Sequence, residues 1–303
     1  MTQDGRDGTA AELAYGIRPP GYRLPDATRL GRVVLQVSDL AASLAYYEPV
    51  IGLRVLHRDE RSATLGAHGS DEPLVELRER RGAVPMPRHG RLGLYHFAIL
   101  LPDRASLGRF VGHLRRLGVP AGMSDHAVSE AVYLSDPDGL GIEVYADRPR
   151  SAWRHSGREL HMVTEPLDVP EVVRAAGAEE WAGAPAGTVI GHVHLFVRDL
   201  DEAARFYHEG MGFDRVVWSY PGALFLSAGG YHHHLGTNTW ASQAAPAGEE
   251  DARLLEWTVL VPEAGDVADV ARSLEGARHV VERSDGALVA ADPWGTRVRV
   301  TTR

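Results

Sequence analysis

Cysteine is absent from the 303-residue sequence, which excludes disulfides, thiolate zinc sites and iron–sulfur clusters. Any metal held by this chain must therefore sit on imidazole and oxygen ligands. An excess of positive charge is also missing, because 32 Lys and Arg stand against 41 Asp and Glu, a formal net charge of −9. No local basic patch offsets it, so neither nucleic acid nor an anionic membrane surface is an expected partner. No apolar run of about 18 residues occurs, and the opening Met1-Thr-Gln-Asp-Gly-Arg-Asp-Gly lacks the basic and apolar regions of a signal peptide. These absences point to a cytoplasmic protein. Hydrophobic residues make up 44% of the chain, enough for a buried core in about two domains.

What is present is a repeat. Leu30-Gly-Arg-Val-Val-Leu-Gln-Val-Ser-Asp-Leu recurs as Ile190-Gly-His-Val-His-Leu-Phe-Val-Arg-Asp-Leu, and Leu94-Tyr-His-Phe-Ala-Ile-Leu-Leu-Pro answers to Leu254-Leu-Glu-Trp-Thr-Val-Leu-Val-Pro. Arg32 and His192, like His96 and Glu256, stand 160 positions apart, so the two halves are copies in register. Each half divides again. A quarter opens with an alternating strand, runs into an amphipathic helical stretch such as Ser43 to Tyr47 or Leu107 to Leu117, and closes with short strands between Gly and Asp-Pro turns.

The expected fold class is α+β, with four βαβββ modules forming two curled-sheet clefts that bury their inner faces. Residues 25–153 are read as the first two-module domain and 188–303 as the second. The connection, 154–187, carries one or two helical turns at Val169 to Ala176. Residues 1 to about 24 are expected to be disordered or loosely attached.

The chemistry-bearing residues cluster in three places. Glu143 follows the turn Asp136-Pro-Asp-Gly139, and histidines occur in Gly191-His-Val-His194 and Tyr231-His-His-His234. Imidazoles on strands and one carboxylate are the raw material of a mononuclear site with two His and one acid. A lone strand histidine is more often a hydrogen-bonded residue than a ligand, so the joint pattern carries the reading. His192 and His194 share a strand face, and spacing does not choose between them. Strand alternation sends His232 and His234 one way and His233 the other.

These modules, with metal-ligand types at strand starts and ends, resemble the vicinal oxygen chelate superfamily of glyoxalase I, extradiol dioxygenases, and bleomycin and fosfomycin resistance proteins. The stretch His126-Ala-Val-Ser-Glu-Ala-Val-Tyr133-Leu-Ser-Asp136-Pro-Asp-Gly139-Leu-Gly-Ile-Glu143 is similar to the signature of extradiol, catechol 2,3-dioxygenase-like enzymes. The resemblance implies His96, Glu143 and His192 as metal ligands, with Fe(II) as the ion and Mn(II) as the alternative. It implies His126 as a second-sphere histidine and Tyr133 as a substrate-binding tyrosine. His233 matches the acid–base histidine, whereas the internal repeat puts His234 at the ligand-like position, so His234 stands in reserve. The implied partners are a small aromatic diol and dioxygen, and a homo-oligomer is left open. In the known enzymes the module giving one His precedes the module giving His and Glu; the order here is reversed, which implies a permuted pairing of quarters.

Charge offers a separate test of that pairing. The two ligand-bearing positions of each quarter are Arg32 and Glu76, His96 and Glu143, His192 and His234, then Glu256 and Arg299. If the second quarter faces the third, one cleft collects His96, Glu143, His192 and His234. The other collects two arginines and two glutamates, which neutralise one another without metal. Halves that closed on themselves would place arginine beside the cation.

The expected reaction is ring opening of a catechol beside its hydroxyls. A base removes the second catechol proton and later returns it, work that suits a histidine near neutral pKa. Two other classes are carried. A glyoxalase-like isomerase or lyase would use all four positions, His234 included, and a metal-free binding module would have lost its ligands. The remaining histidines, His57, His68, His89, His113, His155, His161, His208 and His279, are read as surface residues.

Overall fold

All four quarters form a strand, a helix and three strands in a computed structural model that describes residues 15–302. The first comprises β1 (Arg29–Val37), α1 (Leu40–Tyr46), β2 (Arg54–Arg58), β3 (Ser62–Gly66) and β4 (Pro73–Glu79). The second has β5 (Gly93–Leu100), α2 (Arg104–Leu117), β6 (Gly122–Asp125), β7 (Ser129–Ser135) and β8 (Gly141–Asp147). The connection contributes β9 (His155–Ser156), β10 (Glu159–Leu160), β11 (Glu165–Pro166) and α3 (Val169–Ala175). The third has β12 (Val189–Phe196), α4 (Leu200–Ala203), β13 (Asp214–Val217), β14 (Ala223–Ser227) and β15 (Leu235–Asn238), and the fourth β16 (Arg253–Leu260), α5 (Ala264–Gly276), β17 (Val281–Ser284), β18 (Ala287–Ala291) and β19 (Arg297–Thr301).

The helices begin where an acid follows the opening strand. Asp39, Asp103 and Asp199 each accept the backbone N–H of the residue three positions on, and Glu263 forms a reciprocal capping box with Asp266. In the first and third quarters the helix continues as a π-helical turn, Tyr47–Ile51 and Ala204–Gly210. These turns carry two buried phenols. Tyr47 donates to Asp136 at 3.1 Å and Tyr207 to Asp292 at 2.9 Å, so each Asp-Pro turn is tied to the preceding quarter.

Strand pairing runs the other way. One sheet has the order β11-β6-β7-β8-β5-β12-β15-β14-β13, the other β17-β18-β19-β16-β1-β4-β3-β2. The second and third quarters therefore share a sheet through antiparallel β5 and β12, and the fourth and first share a sheet through β16 and β1. This is the crossed pairing that the charge pattern favours. In the second sheet Arg32 lies 3.2 Å from Glu76 and Arg299 2.6 Å from Glu256, while Arg78 adds a further contact to Glu76. Both acids are neutralised by arginine, as expected.

Two expectations are corrected. Residues 1–14 lie outside the described residues, but 15–24 are not loose: Ile17 pairs with Arg215, the Tyr15 hydroxyl donates to the Gly230 carbonyl at 2.7 Å, and Leu24 is buried. Burying Leu24 removes apolar surface from water, which anchors the segment. The connection forms the helical turns expected at Val169 to Ala176, as α3, which packs on α2 where Gly108 permits close approach, and β11 adds an edge strand to β6. A Cβ at Gly108 would stand 2.2 Å from the Val172 carbonyl. His208 is not a surface residue either; it is buried, and its Nδ1–H donates to the Phe213 carbonyl at 2.7 Å. Among the described residues no helix is long and apolar enough to cross a membrane.

Candidate metal centre

Register in the nine-stranded sheet explains how distant residues meet. β5 pairs with β8 in parallel, setting Ala98 beside Glu143, and with β12 antiparallel, setting Ala98 beside His192. Partners across a sheet point to the same face, as do residues two apart on one strand. Glu143, Ala98 and His192 thus form a row, with His96 next on the same face, and the small Ala98 side chain is fully buried between them. β7 extends the row, since Tyr133 pairs with Glu143.

The three ligand-type residues converge. Glu143 Oε2 is 3.0 Å from His96 Nε2 and 3.1 Å from His192 Nε2, and the two Nε2 atoms are 3.3 Å apart. All three side chains are buried. Donors about 2 Å from one ion and adjacent on it lie about 3 Å from each other, so these separations suit three ligands of a single divalent cation. Among the described residues no lysine or arginine lines the cavity above them.

Electrostatics favours a cation in this place. Burial pushes the Glu143 carboxyl up, but the charge of His192 and hydrogen bonds from His192 and His96 outweigh it, holding the group well below the usual carboxylate range. Burial lowers His96 against the pull of Glu143. His194 and His233 are held well below the ordinary value by burial, and neighbouring imidazoles add to the effect. Neutral imidazole is the form that ligates metal.

The cavity measures about 270 Å³ and is walled by aromatic rings, among them Tyr95, Tyr220, Phe225 and Trp240. Its floor holds all three converging residues together with His126, Tyr133, His194 and His233. His126 Nδ1 lies 2.6 Å from the Val163 carbonyl, which can only accept, so Nδ1 carries the proton. Nε2 then accepts from the Tyr133 hydroxyl at 2.6 Å. Burial and the Glu143 charge push the Tyr133 phenol well above its ordinary value, keeping it protonated.

The adjacent histidines separate here. His192 joins the converging set, whereas His194, on the same face as expected, has its Nε2 taken by the Asn238 amide at 3.0 Å. His233 faces the cavity, its ring 4.1 Å from that of His192 between centroids. His234 does not enter the cavity. Its Nδ1 accepts the Ala228 N–H at 3.2 Å, and burial takes its pKa down to about 3. The ligand-like position inferred from the repeat is thereby corrected: residues 231–234 are irregular backbone between the turn at 229–230 and β15, where the strand period does not apply. A fourth histidine ligand, which the isomerase reading requires, is not brought to the centre. The retained donors also disfavour the metal-free binding module.

Sequence reasoning missed the connection's contribution, Met162, Val163 and Thr164, which form part of the wall. Their only local signal is a short apolar pair inside a Pro- and Gly-rich segment. Of the aromatic residues near the motifs, Trp240 lines the cavity, whereas Tyr231 and Trp153 pack behind it against His232.

Residues 29–144 and 189–300 match the sequence model of the Glyoxalase/Bleomycin resistance protein/Dioxygenase superfamily. The chain is 44% identical over 270 residues to the catechol-2,3-dioxygenase of Bacillus subtilis (strain 168), covering 88% of this chain and 94% of that protein. It is 28% identical over 120 residues to biphenyl-2,3-diol 1,2-dioxygenase 3 of Rhodococcus globerulus, covering 39% of this chain and 63% of the relative. Among solved structures, glyoxalase I from Zea mays superposes with a TM-score of 0.55 at 18% identity, covering 91% of this chain and 92% of that one, a likeness of fold.

Proposed function

The chain belongs to the Glyoxalase/Bleomycin resistance protein/Dioxygenase superfamily, and from that premise we propose that it is an extradiol dioxygenase, opening a catechol-type aromatic diol beside its hydroxyls with dioxygen. The observation that carries the reading is the convergence of His96, Glu143 and His192 on the floor of an aromatic cavity. Near full-length similarity to a catechol-2,3-dioxygenase supports it.

His96, Glu143 and His192 would hold the metal, with Fe(II) as the preferred ion and Mn(II) as the alternative, since both accept two imidazoles and a carboxylate. When bound, such an ion supplies adjacent positions for the vicinal oxygens and for dioxygen and lowers the phenol pKa. His233 acts as base and acid: Nε2 takes the second hydroxyl proton and later returns it. Tyr133, with its hydroxyl hydrogen directed to His126, offers its oxygen to a substrate hydroxyl. Phe225, Tyr220 and Trp240 flank the ring and exclude water. Because the described residues of the cavity wall include no lysine or arginine, the substrates are diols with uncharged substituents. A carboxylate placed there would be desolvated without a partner.

The test is anaerobic loading with Fe(II), then oxygen and a panel of catechols. A yellow ring-opened product from catechol and alkylcatechols, with much weaker turnover of carboxylated catechols, is the expected result. Absence of turnover with every diol despite bound metal would defeat the proposal.

A further inference from the structure

Behind His233 lies a hydrogen-bonded chain that leads out of the cavity. His233 Nδ1 is 2.8 Å from His232 Nδ1, and His232 Nε2 is 2.8 Å from Asp147 Oδ1. The same Asp147 oxygen accepts from the Tyr231 hydroxyl at 3.2 Å, and Tyr231 is bonded in turn to Tyr145 at 2.6 Å. His232 is fully buried, whereas the Asp147 side chain is 26% exposed. His233 Nε2 takes no hydrogen bond among the described residues.

Donor and acceptor types leave one arrangement for neutral imidazoles. A carboxylate oxygen only accepts, so His232 Nε2 carries the proton that faces Asp147. The other nitrogen of His232 is then bare and accepts. His233 must therefore carry its proton on Nδ1, and its Nε2 lone pair is left for the cavity. A third group that holds a catalytic imidazole in one tautomer is an established device, and exchanging its acid for an amide allows the wrong tautomer.

We propose that Asp147 and His232 are positioning residues: through two successive hydrogen bonds they fix His233 as the Nδ1–H tautomer and keep Nε2 free to receive the substrate proton. The inference rests on the assignment of His233 above. It adds two residues that do not touch substrate, one of them near the surface. Tyr231, itself bonded to Tyr145, donates to the same Asp147 oxygen and helps to hold that carboxylate in place.

The test uses histidine labelled with nitrogen-15 in the full chain loaded with diamagnetic Zn(II), in which the protonation of each ring nitrogen is read directly by NMR. His233 is expected to show a protonated Nδ1 and a bare Nε2. In Asp147→Asn the amide can donate to His232, and His233 is expected to shift towards the Nε2–H form. In the Fe(II) enzyme the same variant should lose on the order of 10- to 100-fold in kcat with KM and metal content unchanged. His232→Gln can accept from His233 and donate to Asp147, so it should retain both tautomer and rate; His232→Phe should lose both.

A His233 protonated on Nε2 in the native protein, or an Asp147→Asn variant with native tautomer and native kcat, would overturn the inference and leave the dioxygenase reading untouched. The NMR measurement needs no turnover. If no diol were oxidised, the function would fall and the tautomer assignment would still be decided.

Discussion

Glu143 and His192 flank Ala98 across three adjacent strands, with Glu143 Oε2 3.1 Å from His192 Nε2, although the two residues come from different halves of the chain. That contact joins the second quarter to the third, and the metal chemistry proposed for the protein depends on it.

Single removals should therefore empty the centre. His96→Ala and His192→Ala are each expected to reduce bound iron to near zero by elemental analysis, because either change leaves only two of the three donors. A full equivalent of iron retained by either variant would show that the residue is not a ligand.

Ala98 should tolerate little growth. Ala98→Leu inserts a branched side chain into the row between Glu143 and His192, and overpacking of this kind costs about 1–3 kcal/mol. The expected outcome is a lower melting temperature and strongly reduced metal binding, with Ala98→Gly retaining metal. Native iron content in Ala98→Leu would contradict the face assignment.

Asp136 gives the protein a stability that depends on pH. Burial is the main cause that raises its carboxyl from 3.8 to about 7, with Asp138 adding to the rise and backbone N–H groups opposing it. A folded pKa above the unfolded one means stability present below about 4 and lost as pH rises through about 7, at about 1.4 kcal/mol per unit of separation. Asp136→Asn should flatten that decline between pH 4 and 7. Urea unfolding midpoints measured across this range would show it; an unchanged slope would refute the assignment.

The second cleft should be dispensable for chemistry. Arg299→Met leaves Glu256 half-buried without its partner and should cost about 1–3 kcal/mol. The double variant Arg299→Met/Glu256→Gln should recover most of that loss, since a partly exposed ion pair of this kind contributes about 0–1 kcal/mol. Ring cleavage by the double variant is expected to match the parent. A tenfold loss of rate with stability restored would give this cleft a functional role.

Much of the centre is legible before folding. The repeat fixes the module boundaries within a few residues, and the exchange of His and Glu for Arg at equivalent positions favours the pairing of the second quarter with the third, because arginine repels a cation. Glu143 is marked by the turn before it, and His96 by its place in a strand. The linker residues Met162 to Thr164 leave no such mark. They reach the cavity because β11 docks on β6, a long-range pairing with no periodic signature.

Hydrophobic periodicity, turn residues and helix caps are local signals, so the order of side chains by itself determined the four modules and the residue types able to ligate an ion. Which of His232, His233 and His234 turns inwards was decided only in the folded molecule. Those residues occupy irregular backbone ahead of β15, and their directions follow from Asp147, the Ala228 N–H and the ring of His192, partners that lie outside any local period.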